Sequence, residues 1–591
     1  MSLNLRWLAC VALVAVGVPA LGQESPLGQL PAGAPIVIQV RGAEQAQERL
    51  KATITAATPE FGPMIANELE NGISRLLSGR ELKALAKDGP VFVVFTEVPT
   101  GDEERPDLAV VARVTNYVQF RDAFLKDDER KELKADKAGY EIAKIDDQTA
   151  YFLNRGEYAV VSASEKAIKA FATKTAESLS ARLTGPLAAK LLGADVAAFV
   201  DVRAVRKQHG DSIAAAKQAL DQALEQAEGA GGIDKAQIQQ AGKIFGSLFQ
   251  LIEDTDQVVV SADFRPEGLM LRLHTQVGEK SKTNAYLKTM KPATLTGIIK
   301  LPTGAMAYSN SVPGLDLAQG LLTSMLGLGG SGESKASPEA EEALKELAGL
   351  KFEESYSSGD FPSGGIQVIR YAEPAKAVAA SLKLYKSVPA DSSFIGSALK
   401  GKPEVKEGEQ TAHGFTLHSV RLTWNIDKMV ERFPEEQREA AKETMKKMIG
   451  DGQRFWFGSD GKEFVQLTAK DWAEASKLLD AYVGGKSALG SDPAFAATRK
   501  QLPAAANTVI LIDAGRMAYA MGQYVGDLLK NIPNIQIAIG QAKKPEGKPS
   551  YLGIAVTLEP RNGSLDVYVP TEGIKQIIGV LQPLFGGPAG E

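Results

Sequence analysis

Two short stretches decide the fold: Asp195-Val-Ala-Ala-Phe-Val-Asp201 in the first half of the chain and Asn507-Thr-Val-Ile-Leu-Ile-Asp513 in the second. Each is a short apolar run of the kind that forms a buried strand, and each ends in an aspartate that can open a helix. We therefore predict a strand followed directly by a helix at both places. The similarity of the two stretches raises the question of whether their surroundings also recur.

Three further blocks occur twice in the same order. The paired blocks are Leu30–Ala34 with Leu301–Ala305, Gly156–Ser162 with Gly461–Leu467, and Val258–Val277 with Leu552–Val569. The first pair leads into a strand, the second forms the end of a hairpin that leads into a helix, and the third is a hairpin with a Pro-x-Gly or Asn-Gly turn. Four blocks with the same order and local pattern predict an internal duplication with its boundary near residue 300.

Because the strands come mostly as hairpins with helices between them, we predict an α+β fold of two tandem, internally repeated halves. Each half is expected to be a largely antiparallel sheet with helices packed on one face, over residues 23–300 and 301–591. A doubly wound parallel sheet is the alternative, but it requires each strand to alternate with a helix.

Each half contains an additional segment. In the first half, apolar stripes on both sides of a Gly-rich break predict a helical hairpin at about residues 204–254. We expect it to fold onto its own half; an exposed helix pair that binds a partner or a membrane surface is the alternative. In the second half, residues 326–337 form a flexible Gly/Ser stretch.

The first 22 residues have the features of a secretory signal peptide. Arg6 precedes an apolar run from Trp7 to Val18, and small residues lead to Gly22. The run is shorter than the roughly 20 apolar residues that span a bilayer, so cleavage before Gln23 is favoured over an uncleaved membrane anchor. We predict an exported protein, either periplasmic or extracellular.

Composition excludes several classes of function. The chain is 44% hydrophobic and 24% charged, as in folded globular proteins, and its formal net charge is -5 without a basic block that would bind nucleic acid. The single cysteine, Cys10, lies in the signal segment. The mature chain therefore has no thiol for catalysis, for zinc-thiolate sites or for iron–sulfur clusters.

The four histidines give no metal-binding or catalytic pattern. His413 and His418 are expected on one strand with side chains on opposite faces, and His418 is expected to be half buried. His274 alternates with polar residues and is predicted to be solvated, and His209 is predicted to lie in a loop or at a helix end.

Three resemblances to catalytic or nucleotide-binding motifs lack the required context. Gly327–Gly332 matches GxGxxG but has no βαβ unit around it, Gly485–Ser487 lacks the first glycine of a P-loop, and Ser397–Lys400 matches SxxK without its companion motifs. Asp201 and Asp513 are the best individual acids, and helix capping is the favoured interpretation, with catalysis or ligand binding as the alternative. For Phe455–Phe457, core packing is favoured over a ligand-stacking wall.

The signal segment, the twofold repeat and the block Gly156–Lys169 followed by Ala197–Asp201 resemble exported bacterial proteins of unknown function that have a duplicated α+β region. The resemblance implies export and fold but transfers no site residue. We expect a non-enzymatic envelope or secreted protein, acting as a structural or binding module, with no catalytic residue, metal or cofactor. Its partner would be an envelope protein or an apolar small molecule. The alternatives are a carrier of an apolar ligand such as a lipid and an exported hydrolase that uses carboxylates.

Overall fold

The computed structural model describes residues 25–585, with gaps. The gaps are residues 60–61, 66, 69–79, 81, 88, 100–105, 147, 174–176, 230–234, 314–336, 361–363, 395–396, 432, 434, 486–487, 530–543 and 546. The predicted signal segment, the GxGxxG match and nearly all of the predicted flexible stretch therefore lie outside the described residues.

Helices and strands are mixed along the chain. The strands are β1 (Ile36–Arg41), β2 (Pro90–Phe95), β3 (Leu108–Arg113), β4 (Lys134–Ala135), β5 (Glu141–Ile145), β6 (Gln148–Arg155), β7 (Tyr158–Ser162), β8 (Val196–Asp201), β9 (Thr255–Arg265), β10 (Gly268–Val277), β11 (Ala307–Ser311), β12 (Phe352–Asp360), β13 (Gly364–Tyr371), β14 (Ser393–Phe394), β15 (Ser397–Ala398), β16 (Glu404–Ala412), β17 (Phe415–Thr423), β18 (Gly452–Ser459), β19 (Phe464–Thr468), β20 (Thr508–Asp513), β21 (Tyr551–Glu559) and β22 (Asn562–Pro570). The α-helices are α1 (Ala43–Ala57), α2 (Tyr117–Phe124), α3 (Asp127–Lys131), α4 (Glu165–Ala172), α5 (Leu179–Arg182), α6 (Gly185–Gly193), α7 (Val202–Gly229), α8 (Lys235–Asp254), α9 (Lys282–Leu287), α10 (Pro338–Gly349), α11 (Pro374–Ser387), α12 (Ile426–Val430), α13 (Glu435–Ile449), α14 (Trp472–Gly484), α15 (Pro493–Gln501), α16 (Ala514–Leu529) and α17 (Thr571–Phe585).

The chain forms two compact units. Unit 1 comprises Met1–Ala214, Ile252–Asn284 and Arg561–Leu565, and unit 2 comprises Ala215–Leu251, Ala285–Pro560 and Asp566–Glu591. The helices α7 and α8 thus contribute residues to both units. The predicted helical hairpin is present as this pair, and its residues 215–251 group with unit 2.

The sheet of unit 1 is antiparallel. Its strands follow the order β4-β5-β6-β7-β3-β2-β1-β8-β9-β10, and every neighbouring pair is antiparallel. The hairpins predicted around Gly156 and at Arg265–Gly268 are the pairs β6–β7 and β9–β10. The prediction of an antiparallel α+β class is confirmed, and the parallel alternative is wrong.

Helices cover both faces of the unit 1 sheet, so the prediction that they lie on one face is wrong. Phe92 packs in a core cluster with residues of α4 and α6, including Ile168 and Leu191. Its neighbour Val93 points to the other face, where it packs with Ala46 of α1. The reason is the sequence of β2, in which consecutive positions are all apolar, so that both faces of the central strands must be removed from water.

The β9–β10 hairpin has an unusual distribution of polarity. His274, which is only 9% exposed, lies directly opposite Val259, and Val259 packs in the core cluster that contains Leu187. The prediction that His274 is solvated is therefore wrong, because the polar side of this hairpin packs beneath α6. The outward positions of the same hairpin are apolar, with Val260 48% and Leu271 41% exposed.

The sheet of unit 2 is also antiparallel. Its register-paired strands follow the order β16-β17-β18-β19-β13-β12-β11-β20-β21. Both faces are again covered. Phe455 and Phe457 pack in a cluster with Ala377 of α11, whereas Trp456 points to the other face, where its ring lies 5.7 Å from that of Trp472 at the start of α14. Core packing of these three aromatic residues is confirmed, since all are at most 3% exposed.

Helix α8 exposes apolar side chains. Phe245, Leu248, Leu251 and Ile252 are each between 38% and 46% exposed. Among the described helices, none combines the length and the apolar character that crossing a bilayer requires.

Candidate functional site

The two aspartates that the repeat singles out are both helix caps. Asp201 is 1% exposed, its Oδ1 accepts hydrogen bonds from the backbone N–H of Arg203 (3.1 Å) and Ala204 (3.3 Å), and its Oδ2 pairs with Arg182. Asp513 is 3% exposed and accepts from the N–H of Arg516 at 3.1 Å. Burial raises the pKa of Asp513 above its usual value. The capping interpretation is confirmed: both carboxylates satisfy free N–H groups of the first helical turn.

The histidines lie apart from one another. His418 is half buried as predicted; its Nδ1 accepts from the N–H of Gly408, and its ring packs against Phe457. His413 lies in the turn between β16 and β17 with φ of +54°, not on a strand, and its Nε2 lies 2.6 Å from Asp480. His209 lies at a kink inside α7, with φ of −112°.

The remaining motif matches provide no site. Ser397 belongs to the two-residue strand β15, and the N–H of Lys400 donates to the carbonyl of Thr423, so the SxxK match is part of a backbone-paired connection. Lys486 and Ser487 lie outside the described residues. In the part of the chain that the structure describes, no three His, Cys, Asp or Glu side chains are grouped so that they could hold a metal ion.

Unit 2 contains a cleft of about 400 Å³ that is open to solvent. Its floor is made by the ends of β12, β13 and β19, one wall by the loop after Leu301, and the other wall by one face of α14. The lining residues are Pro302, Thr303, Gly304, Ala305, Ser358, Gly359, Asp360, Gly364, Gly365, Thr468, Ala469, Glu474, Lys477, Leu478 and Ala481. We call this feature the unit 2 cleft.

Two glycines in the floor of the unit 2 cleft have no room for a side chain. A Cβ on Gly365 would lie 2.0 Å from the carbonyl oxygen of Ser358, and a Cβ on Gly364, where φ is +114°, would lie 2.2 Å from that of Thr468. The close approach of three strand ends therefore requires residues without side chains at these positions. Gly364 and Gly365 therefore line the cleft with backbone atoms alone.

The loop that forms one wall is held in place from several sides. Arg516 donates to the carbonyl of Gly304 at 2.5 Å and to Asp360 Oδ1 at 2.9 Å, and Asp360 Oδ1 also accepts from the N–H of Met306 at 2.8 Å. The hydroxyl of Tyr308, in turn, accepts from the N–H of Ala305 at 2.9 Å. A wall held by these bonds loses little conformational freedom when a ligand binds.

A buried polar cluster anchors the chain just before this loop. Glu354 Oε1 accepts from the N–H of Gly297 and from Asn310 Nδ2, both at 2.8 Å, and its Oε2 pairs with Arg370. Gly297 also lies against the ring of Tyr356, where a Cβ would be 2.2 Å from Cδ1. These contacts hold the 3₁₀ turn Gly297–Lys300 on the sheet.

A second polar cluster extends this anchor toward α14. The hydroxyls of Tyr356 and Tyr482 donate to the two oxygens of Glu463 at 3.0 and 2.6 Å. Burial raises the pKa of both tyrosines, so both remain protonated donors at neutral pH. Sequence analysis missed this cluster and the cleft beside it; the only signals were the polar residues of β12 and the glycines between residues 359 and 365.

The charged groups of the unit 2 cleft lie at its rim. Asp360 is 39% exposed and held by Arg516, while Glu474 and Lys477 are exposed on the first turns of α14. The rim therefore presents both carboxylate and ammonium groups to a ligand, with backbone and hydroxyl groups below them.

A second candidate surface is the apolar face of unit 1, which we define as the outward positions of β8, β9 and β10. In one row across the sheet, Ile38 lies opposite Ala198, Ala198 opposite Val260, and Val260 opposite Leu273. All four positions are half exposed or exposed. A continuous apolar row on an accessible sheet face can bind an apolar ligand or a partner.

No protein-family model matches the chain, and no curated protein matches it. Among solved structures, crystal form I of TP0453 matches with 11% identity and a TM-score of 0.20, over 44% of this chain and 82% of that chain. Crystal form III of TP0453 matches with 8% identity and a TM-score of 0.21, over 46% of this chain and 89% of that chain. At these scores neither fold nor function is transferred.

Proposed function

We propose that this protein is an exported, non-enzymatic binding module built from two copies of one α+β unit, and that the unit 2 cleft is its binding site. The proposal rests on one observation: a solvent-open recess with a backbone floor, a hydrogen-bonded wall and charged groups at its rim. Both acids that the sequence made the best catalytic candidates are occupied as helix caps. This use of the acids favours binding over hydrolysis.

The order of the strands supports the duplication. With β11 placed in the role of β1, the unit 2 order β16-β17-β18-β19-β13-β12-β11-β20-β21 corresponds strand for strand to β4-β5-β6-β7-β3-β2-β1-β8-β9 of unit 1. In both units the chain visits these positions in the same sequence. Two units without a common origin would have to arrive separately at the same order of nine strands.

Equivalent hydrogen bonds outside the strands give independent support. Leu179 N–H donates to the carbonyl of Leu30 at 2.9 Å, and Leu489 N–H donates to that of Leu301 at 2.7 Å. Both acceptors belong to the paired Leu-Pro-x-Gly blocks.

The test is native mass spectrometry of the protein recovered from the exported fraction of its own cells. We expect a stoichiometric bound small molecule or partner on the wild-type protein, and its loss in the variant Thr303→Trp, which places an indole in the cleft. The matched control is Ala497→Trp, which adds the same group at an exposed position of α15.

Three results would count against the proposal. A wild-type protein without any bound species would remove the binding role, and equal occupancy in both variants would remove the cleft as its site. Recovery of the protein only from the cytosol would remove the predicted export.

A carrier of an apolar ligand is the second candidate, and the apolar face of unit 1 favours it. Val260 and Leu271, its most exposed members, are 48% and 41% exposed. The same mass spectrometry should then detect a bound lipid that is lost in the double variant Val260→Ser/Leu271→Ser. It should remain in Val483→Ser, a control at a 46% exposed valine of α14. Lipid retention by the double variant would exclude this face.

A further inference from the structure

The position of the unit 2 cleft has a counterpart in unit 1, and the residues there differ. Two residues before each capping aspartate, the registers pair Phe199 with Val37 and Val37 with Val94 in unit 1. In unit 2 they pair Leu511 with Tyr308 and Tyr308 with Ser358. The next residue is Phe95 in unit 1 and Gly359 in unit 2. Across the following pair, Asp107–Leu108 occupy the place of Gly364–Gly365.

Ion pairs and hydrogen bonds join the polar side chains at this place in unit 1. Lys166 Nζ lies 2.5 Å from Glu97 Oε2 and 3.2 Å from Asp107 Oδ2, and the hydroxyl of Ser164 donates to Asp107. The charged groups at this end of the unit 1 sheet thus satisfy one another. In unit 2, Gly364 stands at the position of Asp107, so this carboxylate has no counterpart there.

The helices differ in a complementary way. Both begin with a capping side chain, Ser164 in α4 and Asp471 in α14, which accepts from the N–H three residues later. That residue is Ala167 in unit 1 and Glu474 in unit 2, and the next turn places Lys477 where unit 1 has Ala170. Among the described residues, neither Glu474 nor Lys477 has an ion-pair partner. Unit 2 therefore has both an opened recess and charged groups of opposite sign without partners beside it.

The chemistry of the lining favours one class of ligand. The rim carries the carboxylates of Asp360 and Glu474 and the ammonium of Lys477, which match a molecule with a cationic and an anionic end. The lining also contains strand-end backbone and the hydroxyl-bearing residues Thr303, Ser358 and Thr468, whose chemistry matches peptide groups. The described lining contains no aromatic side chain on which a sugar ring could stack. A volume of about 400 Å³ lies in the small-ligand range and suits a peptide of about three residues.

We propose that the unit 2 cleft binds a short zwitterionic peptide, with Lys477 at its α-carboxylate and with Asp360 and Glu474 at its α-ammonium group. This inference rests on the proposed binding function and assigns that function to unit 2.

Calorimetric titration with trialanine tests the inference through matched ligands and variants. Trialanine amide, which lacks the carboxylate, and N-acetyl-trialanine, which lacks the ammonium, should each bind about tenfold more weakly than trialanine. Lys477→Gln should lower the affinity for trialanine about tenfold but leave the affinity for trialanine amide unchanged. Glu474→Gln should also lower the affinity for trialanine about tenfold but leave the affinity for N-acetyl-trialanine unchanged. Lys500→Gln, which removes an exposed charge on α15, is the control and should bind trialanine as the wild type does.

The outcomes separate this inference from the proposed function. Equal binding of trialanine and its amide, or equal losses for both ligands in Lys477→Gln, would overturn the assignment of Lys477. If trialanine does not bind at millimolar concentration while the protein carries another ligand that Thr303→Trp displaces, the peptide inference fails and the binding function stands. If neither trialanine nor any native species binds, both fail.

Discussion

Glu354 is a buried carboxylate whose removal should destabilise unit 2. Its side chain is 7% exposed, and truncation in Glu354→Ala leaves the N–H of Gly297, the amide of Asn310 and the guanidinium of Arg370 without their acceptor. Removing one partner of a buried ion pair costs about 3–5 kcal/mol. Arg370 is 32% exposed and can regain some hydration, so we expect a loss of about 3 kcal/mol in the free energy of unfolding.

The variant Glu354→Gln separates hydrogen bonding from charge. The amide oxygen of glutamine can still accept from Gly297 and Asn310, and only the pairing with Arg370 is weakened. We expect a loss of about 1–2 kcal/mol, smaller than that of the alanine variant.

Tryptophan fluorescence in a urea titration measures this effect in unit 2 alone. The chain has four tryptophans, Trp7, Trp424, Trp456 and Trp472, and Trp7 is absent from protein produced from Gln23 onward. The other three all belong to unit 2. With an m-value of about 3 kcal/mol per molar, a loss of 3 kcal/mol lowers the urea midpoint by about 1 M.

The control for this prediction is Glu373→Ala. Glu373 pairs with Lys376 at the surface, where the two side chains are 54% and 67% exposed, so its removal should cost less than about 0.5 kcal/mol. If the midpoints of Glu354→Ala and Glu373→Ala agree, the buried cluster does not stabilise unit 2 and the reasoning is refuted.

Three further predictions concern capping, packing and pH. In circular-dichroism denaturation, Asp513→Asn should lower the free energy of unfolding less than Asp201→Asn does. The reason is that burial already disfavours the charge of Asp513, whereas the charge of Asp201 pairs with Arg182. A larger loss in Asp513→Asn would contradict this. Gly297→Ala should lose about 1–3 kcal/mol in the fluorescence assay because its Cβ would meet a buried ring, while Gly349→Ala, with open space around it, should not. Burial raises the pKa of Tyr385 to about 12, so its stabilising contribution is complete below the ordinary pKa near 10 and is lost as the pH rises toward 12. The free energy of unfolding should therefore fall less steeply between pH 10 and 11 in Tyr385→Phe than in the wild type, and identical slopes would contradict this.

Local features were predictable because their causes lie within a few residues. The β9–β10 hairpin follows from a Pro-x-Gly sequence at its turn, and the start of α7 follows from the ability of Asp201 to accept N–H groups two and three residues later. The α+β class follows in turn from hairpins that alternate with helices. None of these inferences requires knowing what packs against the segment.

Which face of a strand is buried was decided only by the tertiary structure. Polar alternation predicts solvent at His274, but α6, far away in sequence, covers that side of the hairpin and leaves Val260 on the accessible side. The apolar run of β2 shows that both of its faces are buried, but it does not show which elements cover them. For this reason the sequence did not predict helices on both faces of the sheet.

The candidate site was the least predictable feature. Asp360, Glu474 and Lys477 come from elements far apart in sequence and face a common recess only because three strand ends and one helix face meet there. The sequence by itself determined the hairpins, the caps and the class of fold, since these depend on neighbours along the chain. The tertiary structure alone decided which glycines leave a space and which charges surround it, because a recess is a property of several segments at once.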